Sequence, residues 1–260
     1  MQNARVDVRL EGYRVLVTGG SSGIGRAIAE AFLESGAAVI VCGRKVPATL
    51  AQGGGNTARF IACDVRDAEA VGKMFEEIGR EQGRLDVLVN NAGGSPVVDA
   101  ATAPPRLTER IVQLNLIAPI NCAQGANRIM QTQESGGSII NIASVAGGLR
   151  ASPTAAAYGA AKAGLLSASD SLAMEWGPKV RVNAVIVGLV ATDNAADHYG
   201  GAEGLRRISE MFPLKRMAAP ADVAAACLYL ASPLAAYVSG AQLAVHGGGE
   251  RPVFLYLADR

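Results

Sequence analysis

Tyr158-Gly-Ala-Ala-Lys162 places a phenol and an ammonium at i and i+4, on one face of a helix. A lysine held beside a tyrosine stabilises the phenolate, and the positive ring of a nicotinamide would add to that. Such a tyrosine exchanges a proton with a substrate oxygen near neutral pH, several units below its ordinary value of about 10. Ser144 lies upstream, just past the apolar run Ser138-Ile-Ile-Asn-Ile142, where its hydroxyl can hold a substrate carbonyl. Alone, the tyrosine–lysine spacing more often marks an exposed helical pair. What gives it weight is a second motif far upstream.

Thr18-Gly19-Gly20-Ser21-Ser22-Gly23-Ile24-Gly25 joins the apolar run Arg14–Thr18 to a helical segment. Glycines there permit a tight turn and let backbone N–H groups approach a pyrophosphate at a helix N-terminus, where the dipole favours an anion. Gly19, Ser21, Ser22, Gly23, Ile24 and Gly25 are therefore candidate dinucleotide-binding residues. A glycine turn chosen only for close packing is the plainer alternative. At the end of the second strand an NAD-binding unit carries an acidic residue for the ribose hydroxyls. Here Gly43 and Arg44 stand instead. Glycine leaves room for a 2′-phosphate and arginine offers a bidentate donor, which favours NADP over NAD. Arg44 as a solvated loop residue is the other reading. Inside the turn no basic residue reinforces the preference, since Ser22 occupies that place.

These residues need a frame that brings distant segments together. Short apolar runs alternate with helical periodicity along the chain: Arg14–Thr18, a helix Ile24–Ser35 with Ile24, Ala27, Ile28, Ala31 and Phe32 on one face, then Ala38–Cys42. Phe60–Cys63, a helix about 68–81, Leu85–Val89 and a helix about 103–131 follow. After them come Ser138–Ile142, a helix about 154–176, Val180–Val187, a helix about 220–231 and a strand about Gln242–Val245. Continuous apolar strands separated by helices imply an α/β fold: a Rossmann-like, doubly wound parallel sheet of about seven strands with helices on both faces. No linker divides it, so residues 1–260 read as one domain. The least regular stretch, 189–220, lies where an insertion would cover a substrate.

Composition narrows the classes further. Of 260 residues 31 are glycine, without a Gly-X-Y period, which excludes a collagen-like fibre. Half the chain is apolar and 18% is charged, enough for a core and too ordered for a disordered chain. A formal charge of +1 with no basic block argues against nucleic acid as a partner. The N-terminus lacks an apolar leader and no run reaches membrane-spanning length, so a cytoplasmic protein without a membrane partner is expected. Cys42, Cys63, Cys122 and Cys227 are widely spaced, and His198 and His246 have no ligand-type neighbours, so no metal site is expected. Trp176 reads as a packing residue. The apolar tail Phe254–Leu257, within 250–260, suits either docking on the chain's own surface or burial against another subunit.

Over about residues 10–250 the chain resembles the short-chain dehydrogenase/reductase family. The residues carrying the likeness are Thr18–Gly25, Asp64-Val65, Asn90-Asn-Ala-Gly93, Asn115, Ser144, Tyr158-x-x-x-Lys162 and Val182-Asn-Ala184. The resemblance implies that Asp64 and Val65 sit beside the adenine, and that Asn91, Ala92 and Gly93 flank the cofactor. It implies that Asn115 kinks a helix and holds a water in a proton relay. Lys162 would bind the nicotinamide ribose, Tyr158 would be the acid/base and Ser144 would orient the substrate. Val190 and Thr192 would contact the carboxamide end. The family's usual Pro-Gly is here Val187-Gly188, and losing the proline is expected to loosen that turn. The implied activity is NADP(H)-dependent interconversion of a small-molecule ketone or 3-oxo group with a secondary alcohol, by a homo-oligomer (dimer or tetramer). Similarity to 3-oxoacyl reductases suggests acyl thioesters. A hydroxysteroid or sugar-alcohol dehydrogenase using NAD(H) is the alternative, and a non-catalytic cofactor-binding sensor is the reading from another class.

Overall fold

A computed structural model describes residues 8–148, 150–192, 195, 199–250 and 258. His198 and the tail segment Phe254–Leu257 lie outside the described residues. Seven strands form one sheet: β1 (Arg14–Thr18), β2 (Ala38–Gly43), β5 (Arg59–Ala62), β6 (Val87–Asn90), β7 (Gly137–Ser144), β8 (Val180–Val187) and β9 (Gln242–Val245). Their order is β5-β2-β1-β6-β7-β8-β9, and every neighbouring pair is parallel. The chain winds outward from β1 to one edge and then returns across to the other. That reversal between β1 and β6 opens a crevice beyond the strand C-termini, where α/β sheets bind ligands.

Both sheet faces are covered, which is why the strands carry no polar alternation. Val15, Val17, Val39, Val41, Val87 and Val89 point to one side, against α1 (Gly23–Glu34) and α7 (Pro220–Ala231). Leu16, Ile40, Cys42, Leu88 and Ile139 point to the other, against α2 (Ala68–Gln82) and α4 (Ala118–Met130). On α1 the fully buried stripe is Gly25, Ile28, Ala29, Phe32 and Leu33, rotated from the expected one, with Ile24 and Ala31 only partly buried. The rotation follows from packing on α7, which takes Ala29 and Leu33 into the shared layer. Helix α2 starts at Asp67, whose carboxylate accepts from the N–H groups of Glu69 and Ala70, and ends at Gly83 in the left-handed region.

Three elements differ from the sequence expectation. Between β2 and β5 the chain adds a short hairpin that the periodicity does not mark, β3 (Gln52–Gly53) pairing antiparallel with β4 (Asn56–Thr57). The 189–220 stretch contains a regular helix, α6 (Gly201–Met211), held as an exposed rod by Arg206 between Glu203 and Glu210. The expected helix 103–131 is two helices, α3 (Pro105–Val112) and α4, joined by a π-helical turn at Gln113–Ile117. Helix α5 (Ala156–Trp176) lies beside β7 and β8. All four cysteines are free and buried, and Trp176 packs against the second apolar layer. Among the described residues no helix is long and apolar enough to cross a membrane.

Candidate active site

A cleft of about 1370 Å³ runs across the C-terminal edge of the sheet, from the turn after β2 to the turn after β9. One end is built by the glycine turn. Gly19 has φ +66°, a conformation costly for any residue with a Cβ. A Cβ on Gly25 would run into the Gly19 carbonyl. The turn is therefore a shallow cradle of backbone at the N-terminus of α1. It is braced from β6, because Asn91 Nδ2 donates to the carbonyls of Thr18 (3.0 Å) and Gly19 (3.3 Å). Thr18 Oγ1 in turn accepts from the N–H groups of Asn91 and Ala92, both at 3.0 Å. Gly19, Ser21, Ser22, Ile24 and Gly25 line the cleft, while Gly23 stands behind them near Thr192.

At the end of β2, Gly43 leaves a gap facing Ser21 Oγ and the Phe60 ring. Arg44 borders it, and so do Lys45 and Arg66, two cations the sequence pattern did not single out. Asp64 and Val65 line the same region. The Arg66 guanidinium chelates Asp64 through Nε–Oδ1 (3.0 Å) and Nη2–Oδ2 (2.6 Å). That pairing holds the Asp64 carboxyl below its ordinary range. Cys42 and Cys63 form part of the floor, and burial pushes their thiols up to about 12 and about 11.

The other end gathers the chemical groups. Ser144 ends β7, Tyr158 and Lys162 project from α5, and Asn115 comes from the π-helical turn. Ser144 Oγ accepts from Ala146 N–H at 3.2 Å, which fixes its direction, and it lies in hydrogen-bonding reach of Tyr158. Lys162 is buried, donates from Nζ to the Ile142 carbonyl at 2.7 Å, and has its ammonium 5.8 Å from the centre of the Tyr158 ring. Desolvation lowers the lysine to about 8. Asn115 does not line the cleft. Its Oδ1 accepts from Gly94 N–H and its Nδ2 donates to the Gly94 and Ile111 carbonyls, each at 2.9 Å. A Cβ on Gly93 would meet Asn115 Oδ1 at 2.8 Å and Lys162 Nζ at 3.3 Å, so Asn115 and Lys162 flank one backbone position.

Two sequence expectations are corrected. Tyr158 is not lowered in this structure: burial raises it, only partly opposed by Ser144, with Tyr199 adding to the rise. The reason is burial, which disfavours the charged phenolate. The turn at Val187-Gly188 is not loose either. Val187 stays in the sheet between Ser144 and Val245, and Gly188 N–H donates to Val245 at 3.0 Å. The following run is pinned to Ala218 from both sides, Ala191 N–H to its carbonyl (2.8 Å) and its N–H to Leu189 (3.0 Å). Val190 and Thr192 both line the cleft as a result. The structure thus brings together the glycine turn, Gly43, Arg44, Asp64, Val65, Asn91, Ala92, Gly93, Ser144, Tyr158, Lys162, Val190 and Thr192. Sequence reasoning missed Lys45, Arg66, Arg150, Tyr199 and Glu250. Arg66, next to the Asp64-Val65 pair, was the one with a local signal.

The arrangement fits a dinucleotide: a backbone cradle that side chains on Gly19 or Gly25 would fill, then a long trough, then a phenol, an ammonium and a hydroxyl. Among the described residues no group of His, Cys, Asp and Glu is placed to hold a metal ion. A family model described as enoyl-(acyl carrier protein) reductase matches residues 19–250. The chain is 37% identical to the D-threitol dehydrogenase of Mycolicibacterium smegmatis, over 93% of this chain and 94% of that one. It is 36% identical to an L-rhamnose 1-dehydrogenase (NAD(P)(+)) of Azotobacter vinelandii, over 90% and 95%. A solved structure from Beutenbergia cavernae, put forward as an NAD(P)-dependent gluconate 5-dehydrogenase and holding NADP at low occupancy, superposes with a TM-score of 0.85. That likeness covers 93% of this chain and 98% of the other at 33% identity. With the doubly wound sheet, the glycine cradle and these relatives in agreement, the chain belongs to the short-chain dehydrogenase/reductase family, whose members are oxidoreductases acting on alcohol and ketone groups.

Proposed function

We propose that the protein is an NADP(H)-dependent oxidoreductase that interconverts a ketone and a secondary alcohol, with Tyr158 as its acid/base. The observation that carries this is the convergence of Tyr158, Lys162 and Ser144 at one end of a trough whose other end is a backbone anion cradle. A dinucleotide in this trough would supply the hydride chemistry. The amides of the Gly19–Gly25 turn would hold its pyrophosphate, and Arg44 and Lys45 beside Gly43 would hold a 2′-phosphate. Lys162 would hold the nicotinamide ribose. Ser144 Oγ donates to the substrate oxygen and orients it, while the Tyr158 hydroxyl gives that oxygen its proton on reduction and takes it back on oxidation. Asn115 is a positioning residue that keeps the Gly93–Gly94 backbone against Lys162.

The raised phenol agrees with this division of labour. Burial keeps Tyr158 protonated and ready to donate, and a cationic nicotinamide beside it would favour the phenolate. For the substrate, a polyol or sugar-type carbinol is the preferred class, since the D-threitol and L-rhamnose enzymes cover almost this whole chain. A 3-oxoacyl thioester is the second reading, favoured by the description of the matching family model. A homo-oligomer is supported by the small-residue face that α5 leaves exposed at Ala160, Ala163 and Ser167, with Met174 beside it.

The test is oxidation and reduction of a carbonyl and carbinol panel with NADPH and NADH, in the wild type and in Tyr158→Phe. Turnover falling by about 10²-fold or more in Tyr158→Phe is expected. Retained turnover would remove the tyrosine from the mechanism.

A further inference from the structure

Where β2 and β5 end, Arg44, Lys45, Arg66 and Asp64 share one end of the cleft. The sheet puts them there. Gly43 pairs with Ala62, and its carbonyl accepts from Cys63 N–H at 2.9 Å, so Arg44 and Asp64 leave neighbouring strand ends side by side. The Arg44 charge is close enough to help hold the Asp64 carboxyl low. Among the described residues that line this end of the cleft, Asp64 is the one carboxylate.

Arg66 engages both oxygens of that carboxylate. Its backbone N–H and its Nε donate to Asp64 Oδ1 at 3.1 and 3.0 Å, and its Nη2 donates to Oδ2 at 2.6 Å. The turn that carries the pair is itself fixed. Asp67 N–H donates to the Asp64 carbonyl at 2.9 Å, and Gln113 Nε2 donates to the Arg66 carbonyl at 3.0 Å. With both side chains about a third exposed, such a pair adds little to stability. What it changes is the field at the cleft. Among the described residues Arg44 and Lys45 make no hydrogen bond or ion-pair contact, so they stay open to a ligand. A bare carboxylate beside them would draw Arg44 to itself and repel an incoming phosphate, and a chelated one does neither.

We infer that Arg66 is a positioning residue that sets the nucleotide preference: by chelating Asp64 it cancels the negative charge at this end of the cleft and leaves Arg44 uncommitted for a 2′-phosphate. This rests on the proposed use of NADP(H) and deepens it, because the preference then depends on a residue that need not touch the phosphate.

The experiment measures dissociation constants of NADPH and NADH, which differ only in the 2′-phosphate, by fluorescence titration. The proteins are the wild type, Arg66→Gln, Asp64→Asn and the double variant. Whatever Asp64 contributes to the shared adenosine cancels in the ratio of the two constants. The wild type is expected to bind NADPH more tightly. In Arg66→Gln that preference should fall by about tenfold, and by less in about 0.5 M salt. In Asp64→Asn it should not fall, and in the double variant it should return to within about twofold of wild type, because no carboxylate is left to neutralise. An Arg66→Gln protein that keeps the preference, or that weakens both nucleotides equally, would overturn the inference. So would a double variant as poor as Arg66→Gln, since Arg66 would then act on the phosphate directly. A crystal structure of the wild-type NADPH complex decides the matter without any variant. Arg66 on Asp64 with Arg44 on the 2′-phosphate is expected; Arg66 off Asp64, or Arg44 away from the phosphate, would overturn the inference. A wild type that binds NADH as tightly as NADPH would remove the proposed nucleotide preference and this inference with it. The other failures leave that preference standing, which separates the two.

Discussion

Replacing Lys162 by methionine should make the protein more stable while ending its turnover. The ammonium is buried, and burial brings it down from 10.5 to about 8. At about 1.4 kcal/mol per pH unit, that gap opposes the charged form in the folded state by about 3 kcal/mol. Methionine removes the charge, fills much of the same volume and leaves the Ile142 carbonyl without its 2.7 Å donor. The lost bond returns about 1 kcal/mol of the gain, so the net is about 2 kcal/mol at pH 7, or ~5 °C in melting temperature. The sign with pH follows from proton uptake. Between about 8 and 10.5 the unfolded chain keeps the proton that the folded one has released, so wild-type stability from this group rises with pH across that window. The advantage of the variant is therefore complete below pH 8, shrinks above it and is gone beyond 10.5. Urea and thermal unfolding of both proteins from pH 6 to 10.5, without nucleotide, would measure it. A variant less stable than wild type at pH 7, or a difference that does not move with pH, would refute the reasoning.

Other expectations are more local. Arg44→Asp should weaken 2′,5′-ADP binding by about tenfold or more and spare 5′-ADP, measured by calorimetry; equal losses would exclude a 2′-phosphate contact. Gly93→Ala puts a methyl 2.8 Å from Asn115 Oδ1 and should cost at least about tenfold in nucleotide affinity by fluorescence titration. Gly125→Ala drives a Cβ into the Phe75 ring, where α4 crosses α2, and should lower stability by about 1–3 kcal/mol in urea. Asp86, 5% exposed, accepts from Arg14 N–H at 2.7 Å and pairs with Arg84. Asp86→Ala should cost about 2 kcal/mol in the same assay, since it leaves the Arg14 N–H without its acceptor and removes the Arg84 pair.

What was legible in the sequence is what local chemistry dictates. The apolar runs became strands because both sheet faces are covered, and the glycine spacing marked the cradle because only backbone fits there. The buried stripe of α1 was misjudged by one position, since Ala29 and Leu33 are chosen by their partner α7, a contact nearly two hundred residues away in the chain. Arg150 and Glu250 carried no signal for the same reason: each is unremarkable in its own segment, and only the fold sets one against the other. The environment of Tyr158 was not legible because spacing at i and i+4 says which face a lysine shares, not how deeply the phenol is buried.

The π-helical turn at Gln113–Ile117 has a bearing on the whole molecule. One residue more than an α-turn requires is wound into the rod, so the two helices on either side are out of phase by about 100°. The rod therefore turns one flank to α5 along α3 and a different flank to α2 along α4, two neighbours that a straight helix would have to serve with one apolar stripe. Asn115 sits at the slip point, where its amide can close on Gly94 instead of following the helix. Deleting a single residue there would heal the helix into a better α-helix and a worse protein. Everything downstream would be dialled round by about 100°, and Met130, Cys122 and Ala126 would leave the core together. The irregularity behaves as a gear between two packing surfaces, and its one extra tooth is what keeps both meshed.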